Sequence, residues 1–413
     1  MNIVFLSFRI AGLDGVSLEA VHWKEILERM GHKVTFLAGE LDRSGVLLPE
    51  LHFKWPYVYQ IHERVVYGDE KYEDVERGIF TLAGKIEGKL REVLRHNGKV
   101  DLLIVANIFS LPMHFPLTVA LSRIVGEYSI PTIARHHDFW WERQKYLESS
   151  LFKFFENWFP PKLPTVKHTV INSIAKAELK KRYGLDADII SDTFDFASNK
   201  AVADSYSKHF RPDFEIGAED KVFLQPTRIV PRKRIELSIE FIKALNDPNA
   251  VLVISQREGD EQPGYEKKLK KLAQETGIRC KFIGDRVNSQ RKIISGKRIY
   301  TLWDCYVNAD FVTYPTEVEG FGNQFVETMY FKKPIILTPY PVYKSDIAPL
   351  GFETIELNGA NFGKAVAKVN SLIADGQEYD RLVEKNFKIG EKHFSYDSTR
   401  EKIKKLLQTL PSV

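Results

Sequence analysis

Short apolar runs alternate along the chain with longer stretches whose apolar residues recur at helical spacing, and they do so in two blocks. In the first block the runs at 3–8, 33–38, 101–106 and 131–134 read as strands, and 17–30, 82–95 and 117–125 read as helices. The second block repeats the pattern, with strands at 222–225, 250–254, 281–283 and 310–314 and helices at 235–245, 265–276 and 325–331. Between them lies a polar segment, 198–221, that reads as a linker. Alternation of this kind predicts parallel sheets with helices on both faces, and such sheets bind ligands beyond the carboxyl ends of their strands. An aromatic run at 146–159, ended by Pro160 and Pro161, predicts one helix with a buried face; a membrane-facing or acceptor-facing lid is the other reading.

With 413 residues the chain exceeds what one core usually serves, so two domains are expected. Hydrophobic residues make up 44% and charged residues 28%, with no apolar run of transmembrane length. The apolar first residues read as a strand and not as a signal peptide, so a cytoplasmic address is expected. A net charge of +4, from 59 basic and 55 acidic residues, is too mild to indicate nucleic-acid binding. The lysine-rich stretches at 267–271 and 402–405 carry apolar residues at helical spacing and read as solvated helix faces. Cys280 and Cys305 form neither a disulfide framework nor a metal-ligand spacing.

The densest candidate chemistry is the stretch 315–327, where Gly320 and Gly322 fall between a strand and a helix. Unpaired N–H groups at a helix start suit a phosphate, and glycines let the backbone approach a ligand. Glu319 should lie in the loop and Glu327 one turn into the helix; two carboxylates at an anionic site suit sugar or ribose hydroxyls. A helix cap and a solvated side chain are the plain alternative. Arg228, Arg232, Lys233 and Arg234 fall within seven residues after another strand, and fixed cations at a helix mouth can neutralise a diphosphate. Alone, such a turn is more often solvated.

In the first block, three strand ends carry polar groups. The loop from Arg9 through Gly12, Asp14 and Gly15 to Ser17 could approach a phosphate or hold an anionic acceptor; a turn with Ser17 as N-cap is the plain reading. It lacks the Gly-x-Gly-x-x-Gly fingerprint. The second loop offers Asn107 and Ser110. The third, Arg135-His136-His137-Asp138 with Glu142 and Arg143, concentrates too many ionisable groups for an ordinary solvated loop.

Taken together these motifs resemble glycosyltransferase family 4, retaining enzymes of GT-B fold. Glu319 to Glu327 is similar to the family's Glu-x7-Glu element and Arg228 to Lys233 to its Arg-x4-Lys element. The glycine loop at Gly12–Gly15, the His137-Asp138 pair and the Phe394-Ser-Tyr-Asp start of a closing helix follow in family order.

The resemblance implies an α/β protein of two Rossmann-like doubly wound domains facing across a cleft, with a C-terminal helix crossing back. The expected domains are an acceptor-binding one, 1–197 with the helix 396–413, and a nucleotide-sugar-binding one, 198–395. It implies that Arg228 and Lys233 bind and stabilise the leaving diphosphate. Glu327 would hold the ribose, and Glu319 with Gly320, Phe321, Gly322 and Asn323 the donor sugar. Gly15 would reach the phosphate from the other domain, and His137, or else His136, would touch the transferred sugar. The base would rest near Gly284, Asp285, Arg286 and Val287. Arg9, Asp14, Ser17, Asn107, Ser110, Asp138 and Arg143 would line the acceptor site.

The interdomain turn departs from the family at Asp192–Asp195, the first loop has Asp14-Gly15 for Gly-Gly, and 288–298 reads as a short basic insertion.

The expected reaction moves a hexose from a UDP-, GDP- or ADP-linked donor to a small soluble, anionic acceptor such as a sugar acid or sugar phosphate. It proceeds on the front face, with no tightly bound cofactor and no metal required. A lipid or polysaccharide acceptor at a membrane surface is the alternative, and a GT-B phosphorylase or epimerase a more distant one.

Overall fold

A computed structural model describes residues 1–12, 14–68, 71–259, 264–359 and 361–410. Leu13 of the first glycine loop and 411–413 of the closing helix lie outside the described residues. The chain divides into two compact units, one of residues 1–191 with 399–413 and one of residues 192–398.

In the first unit seven parallel strands are ordered β3-β2-β1-β4-β5-β6-β7. They are β1 Asn2–Ser7, β2 Lys33–Ala38, β3 Val46–Leu47, β4 Leu102–Ala106, β5 Thr132–His136, β6 Val166–Val170 and β7 Ala187–Ile189. The helices are α1 Gly15–Arg29, α2 Pro56–Val66, α3 Tyr72–His96, α4 Phe115–Tyr128, α5 Gln144–Leu147, α6 Phe152–Trp158 and α7 Ser173–Tyr183. β1 and β4 are apolar nearly throughout, and both they and β5 are buried, as strands covered on both faces must be. The core continues through Ile79, Ile86 and Leu90 of α3 and Leu117, Leu121 and Ile124 of α4, which recur at helical spacing.

The second unit has six parallel strands ordered β10-β9-β8-β13-β14-β15 and a separate antiparallel hairpin, β11-β12. The strands are β8 Lys221–Gln225, β9 Ala250–Ile254, β10 Arg279–Phe282, β11 Lys292–Ile294, β12 Lys297–Ile299, β13 Phe311–Tyr314, β14 Ile335–Leu337 and β15 Ile355–Glu356. Its helices are α8 Phe210–Asp213, α9 Ile235–Leu245, α10 Tyr265–Thr276, α11 Leu302–Asn308, α12 Asn323–Tyr330, α13 Gly363–Ala374 and α14 Gly376–Phe394; α15, Tyr396–Gln408, starts in this unit and ends in the other. In each sheet the strand order reverses once, between β1 and β4 and between β8 and β13. At such a switch point adjacent strand-end loops splay apart and leave a crevice for ligand.

Three local readings change. The run 146–159 is two short helices, because the Ser149 hydroxyl takes the Leu151 N–H at 3.2 Å and bonds the Val65 carbonyl at 3.0 Å, interrupting the helix. The segment 198–221 is structured: Phe210 packs on Phe214 and Tyr300, and Asp213 receives Arg286, Arg298 and the Tyr300 hydroxyl. The basic insertion folds as the β11-β12 hairpin, tied down by Arg291 between Asp204 and Asp304. Among the described residues, no helix is long and apolar enough to cross a membrane.

Candidate active site

At the switch point of the second sheet, β8 and β13 pair through Phe223–Phe311 and Leu224–Val312, which brings the loops after both strands together. The Glu317 N–H donates to the Arg232 carbonyl at 2.9 Å and locks one loop to the other. Beneath them a buried polar network closes the strand ends: the Gln225 amide donates to Thr227 at 2.8 Å and accepts from Ser238 and Thr313, both at 2.9 Å.

The loops place Lys233 and Glu319 in direct ion-pair contact, with their side chains only 6% and 11% exposed. Arg232 lies 3.5 Å from the other Glu319 oxygen, the Thr316 hydroxyl lies 3.1 Å from the first, and the Lys233 ammonium sits 5.5 Å from the Tyr314 ring centre. Two residues given separate tasks by the sequence are therefore partners in this structure. Arg228 is exposed on the same loop, its guanidinium 3.8 Å from where a Cβ on Gly259 would stand.

Gly322 precedes α12 with φ +115°, a conformation open to glycine. A Cβ there would meet the Tyr314 hydroxyl at 2.8 Å and the Tyr340 hydroxyl at 3.0 Å. Tyr340 donates to the Phe321 carbonyl at 2.7 Å and holds the loop; the Phe321 ring is buried edge-on against Phe394. Two buried polar atoms beside this helix start, the Tyr314 hydroxyl and Asn323 Oδ1, have no hydrogen-bond partner among the described residues. Orphaned polar atoms of this kind need an explanation, and a ligand with hydroxyl groups supplies one. Tyr314 was missed from sequence because an aromatic at the last position of a buried strand reads as core.

Glu327 lies one turn into α12, 2% exposed, and accepts the Tyr306 hydroxyl at 3.0 Å. Burial, then the neighbouring Glu327, raises the Tyr306 hydroxyl well above its ordinary range. Gly284, Asp285 and Arg286 form a single turn after β10. Gly284 packs so close to Gln256 that a Cβ would lie 2.6 Å from its carbonyl, and Arg257 donates to the Gly284 and Asp285 carbonyls at 3.1 and 3.3 Å. The Arg286 side chain turns away to Asp213 at 2.7 Å, and Val287 forms a bridge with Tyr300. Gly320 is partly exposed.

In the first unit, the N-cap of α1 is Asp14 and not Ser17: Asp14 accepts the Ser17 N–H at 3.1 Å and its hydroxyl at 2.7 Å. A carboxylate satisfies two donors of the first turn at once and suits the positive end of the helix, which a hydroxyl does less well. Arg9 bonds the same carboxylate at 3.2 Å, so Arg9, Asp14 and Ser17 form one cluster beside Gly15, the first helical residue.

β5 runs two residues beyond the expected strand and takes in Arg135 and His136. Arg135 is buried, ion-paired to buried Glu19 at 3.1 Å, stacked 4.6 Å over Trp23 and bonded to the Ile190 carbonyl at 3.0 Å. His136 is buried with Nε2 3.0 Å from Nδ1 of His168. Burial, then the neighbouring His168, His137 and Arg135, holds its pKa well below the ordinary value. His137 is the first residue past the strand, and both its ring nitrogens are buried without a hydrogen-bond partner among the described residues. Its pKa is also well below the ordinary value, through burial and then Arg135. Asn107, at φ +58°, accepts the His137 N–H at 2.8 Å, and its carbonyl takes the N–H groups of Ser110 and Leu111 at 3.1 and 2.9 Å. Asp138 and Arg143 form a half-exposed pair at 3.3 Å. Among the described residues no group of three or more His, Cys, Asp and Glu is placed to hold a metal.

The family described as Glycosyl transferases group 1 matches residues 207–389, the unit that carries Lys233, Glu319 and Glu327. A mannosylglucosylglycerate synthase from Petrotoga mobilis is 34% identical over 407 residues, covering 90% of both chains. The chain belongs to glycosyltransferase family 4. A second mannosylglucosylglycerate synthase, from Thermotoga maritima, is 34% identical over 96% of this glycosyltransferase and 97% of its relative. The GT-B fold is shared with Anabaena HepE in complex with UDP and glucose, at TM-score 0.67 and 14% identity over 99% of this chain and 100% of that one. Sucrose-phosphate synthase from Thermosynechococcus elongatus aligns at TM-score 0.68 and 14% identity over 99% of each chain. This family-4 enzyme is a hexosyltransferase.

Proposed function

We propose that the enzyme transfers a mannosyl group from a nucleoside-diphosphate sugar to a hydroxyl of glucosylglycerate, a small soluble acceptor bearing one carboxylate. The observation that carries this reading is the identity of 34% to two mannosylglucosylglycerate synthases along nearly the whole of each chain. The crowding of cations after β8 against one carboxylate after β13 supports a diphosphate-bearing donor. Lys233 and Arg228 neutralise the diphosphate as the sugar leaves, and Glu319, released by Lys233, accepts hydroxyls of the donor sugar. Glu327 accepts the ribose hydroxyls, and the orphaned Asn323 oxygen takes a further hydroxyl. In the acceptor-binding unit Arg9 meets the glycerate carboxylate and neutral His137 bonds a sugar hydroxyl.

Anomeric configuration is retained: the leaving diphosphate oxygen takes the acceptor proton while the acceptor oxygen bonds the anomeric carbon on the same face. On this reading no side chain serves as a glycosyl nucleophile. The enzyme is a cytoplasmic protein that works without a bound metal.

The test incubates the purified chain with UDP-, GDP- and ADP-linked hexoses and glucosylglycerate, reading product mass and anomeric proton coupling. A mannosyl product of retained configuration from a metal-depleted reaction is expected. Transfer to lipid or polysaccharide acceptors alone, or phosphorolysis without transfer, overturns the reading.

A further inference from the structure

Following the edge strand β3, and lined by none of the residues assigned above, is a cavity of about 200 Å³ formed by Glu50, Trp55, Tyr57, Leu82, Lys85, Ile86 and Lys89. Its floor is one face of α3, since positions 82, 85, 86 and 89 follow the i, i+3, i+4, i+7 spacing of a helix stripe. Its wall is the chain after β3, where Trp55 and Tyr57 meet edge to face with ring centres 5.2 Å apart. Tyr57 is 62% exposed, so its ring is open to a ligand. Glu50 pairs with Lys89 through one oxygen, while the other, Oε2, is buried with no hydrogen-bond partner among the described residues.

We propose that this cavity is a saccharide-binding site for a glycoside or sugar acid that carries a carboxylate. A volume of about 200 Å³ leaves room for a single sugar ring. Trp55 and Tyr57 offer flat apolar faces to the C–H face of a sugar ring. The Glu50 oxygen that lacks a hydrogen-bond partner among the described residues accepts a sugar hydroxyl. With Lys89 committed to Glu50, Lys85 leaves the cavity with one excess positive charge, which selects an acidic sugar over a neutral one. The site is tied to the strand-end loops: the Glu50 carbonyl accepts His114 Nε2 at 2.8 Å, and His52 stacks on Phe53, which lies 5.8 Å from Arg9. A sugar held here therefore rests beside the loop after β1 without occupying it, and serves as an outer station for acceptor or product. The inference concerns binding alone and does not depend on which sugar is transferred.

The experiment titrates the full chain with glucuronate and with methyl glucoside, following saturation transfer to the sugar ring protons by NMR. Glucuronate is expected to bind at least fivefold more tightly than methyl glucoside. Trp55→Ala should weaken both ligands tenfold or more, and Glu50→Gln, which loses the acceptor oxygen but frees Lys89, should weaken methyl glucoside tenfold or more while widening the preference for glucuronate. Lys85→Ala, at an exposed helix position that leaves the fold intact, should remove the preference for glucuronate alone. Trp55→Phe, which keeps an aromatic face, should retain binding within threefold. Glucuronate bound equally by wild type, Trp55→Ala and Lys85→Ala would place the ligand elsewhere and overturn the proposal, as would the absence of binding to wild type. Failure of the mannosyl transfer assay leaves these titrations unaffected, so the two readings fail separately.

Discussion

Glu319 and Glu327 lie on one loop-helix junction yet sit in different electrostatic settings. Glu319 faces a lysine and an arginine, whereas Glu327 is buried with a tyrosine hydroxyl as its neighbour. Glu319→Ala is expected to lower kcat at least a hundredfold while the Kd for the nucleoside diphosphate stays within threefold. Glu327→Ala should raise that Kd about tenfold; isothermal titration beside steady-state kinetics separates them, and parallel losses in both mutants would refute the division. Gly322 offers a second test. Gly322→Ala combines a left-handed φ with a Cβ only 2.8 Å from the Tyr314 hydroxyl, so transfer should fall by at least tenfold. Adding Tyr314→Phe removes one of the two opposing oxygens, and the double mutant should regain part of the loss; no recovery would mean that backbone strain alone is at fault.

The strands β1, β2, β4, β5, β8, β9, β10 and β13 and the main helices that follow them were legible because buried parallel strands are short continuous apolar runs and their helices carry a clear stripe, whereas β6, with Lys167 and His168 inside it, the three-residue β14, and α7, which buries only Ala175 and Leu179, were not. Elsewhere single polar side chains made the difference. Ser149 divides an aromatic stretch that by periodicity is one helix, and Asp14 takes the cap of α1 from Ser17 because it can serve two donors. The end of β5 was hidden by its chemistry: Arg135 and His136 look like loop residues until Glu19 and His168 are seen opposite them in the fold. The basic turn and the two glutamates were legible as a set, but the ion pairing of Lys233 and Arg232 with Glu319 depends on the adjacency of β8 and β13, which no spacing reveals. At the end of β4, Asn107 joins two loops while holding φ +58°. Asn107→Ala loses the bond to His137 and keeps the strain, and should cost about 2 kcal/mol by chemical denaturation. Asn107→Gly removes the strain and should recover about half of that.

Across the molecule, buried histidines link stability to pH. Burial lowers His114 and His168 to about 4, and His136 and His137 lie well below their ordinary value. Each stays neutral in the folded protein, while the unfolded chain takes up protons below its usual value of about 6.5. Stability is therefore full above that pH and falls as pH drops through it, by about 2 kcal/mol per histidine at pH 5 for a folded value near 4. The unfolding midpoint should be flat from pH 7 to 8 and decline steeply from 6.5 to 5; a flat profile to pH 5 would contradict the burial of these rings. The division of the chain has a consequence in time. Residues 192–398 form one continuous unit, whereas the other unit needs residues 399–410, which a ribosome makes only after all of 192–398. Ile403 and Leu406, both buried, therefore reach their places last. During synthesis the unit begun first is finished second, and it spends the interval without its final helix, exposed to chaperones and proteases. A fragment of residues 192–398 should unfold cooperatively on its own, and one of residues 1–191 should become resistant to proteolysis only when a peptide of residues 399–410 is supplied.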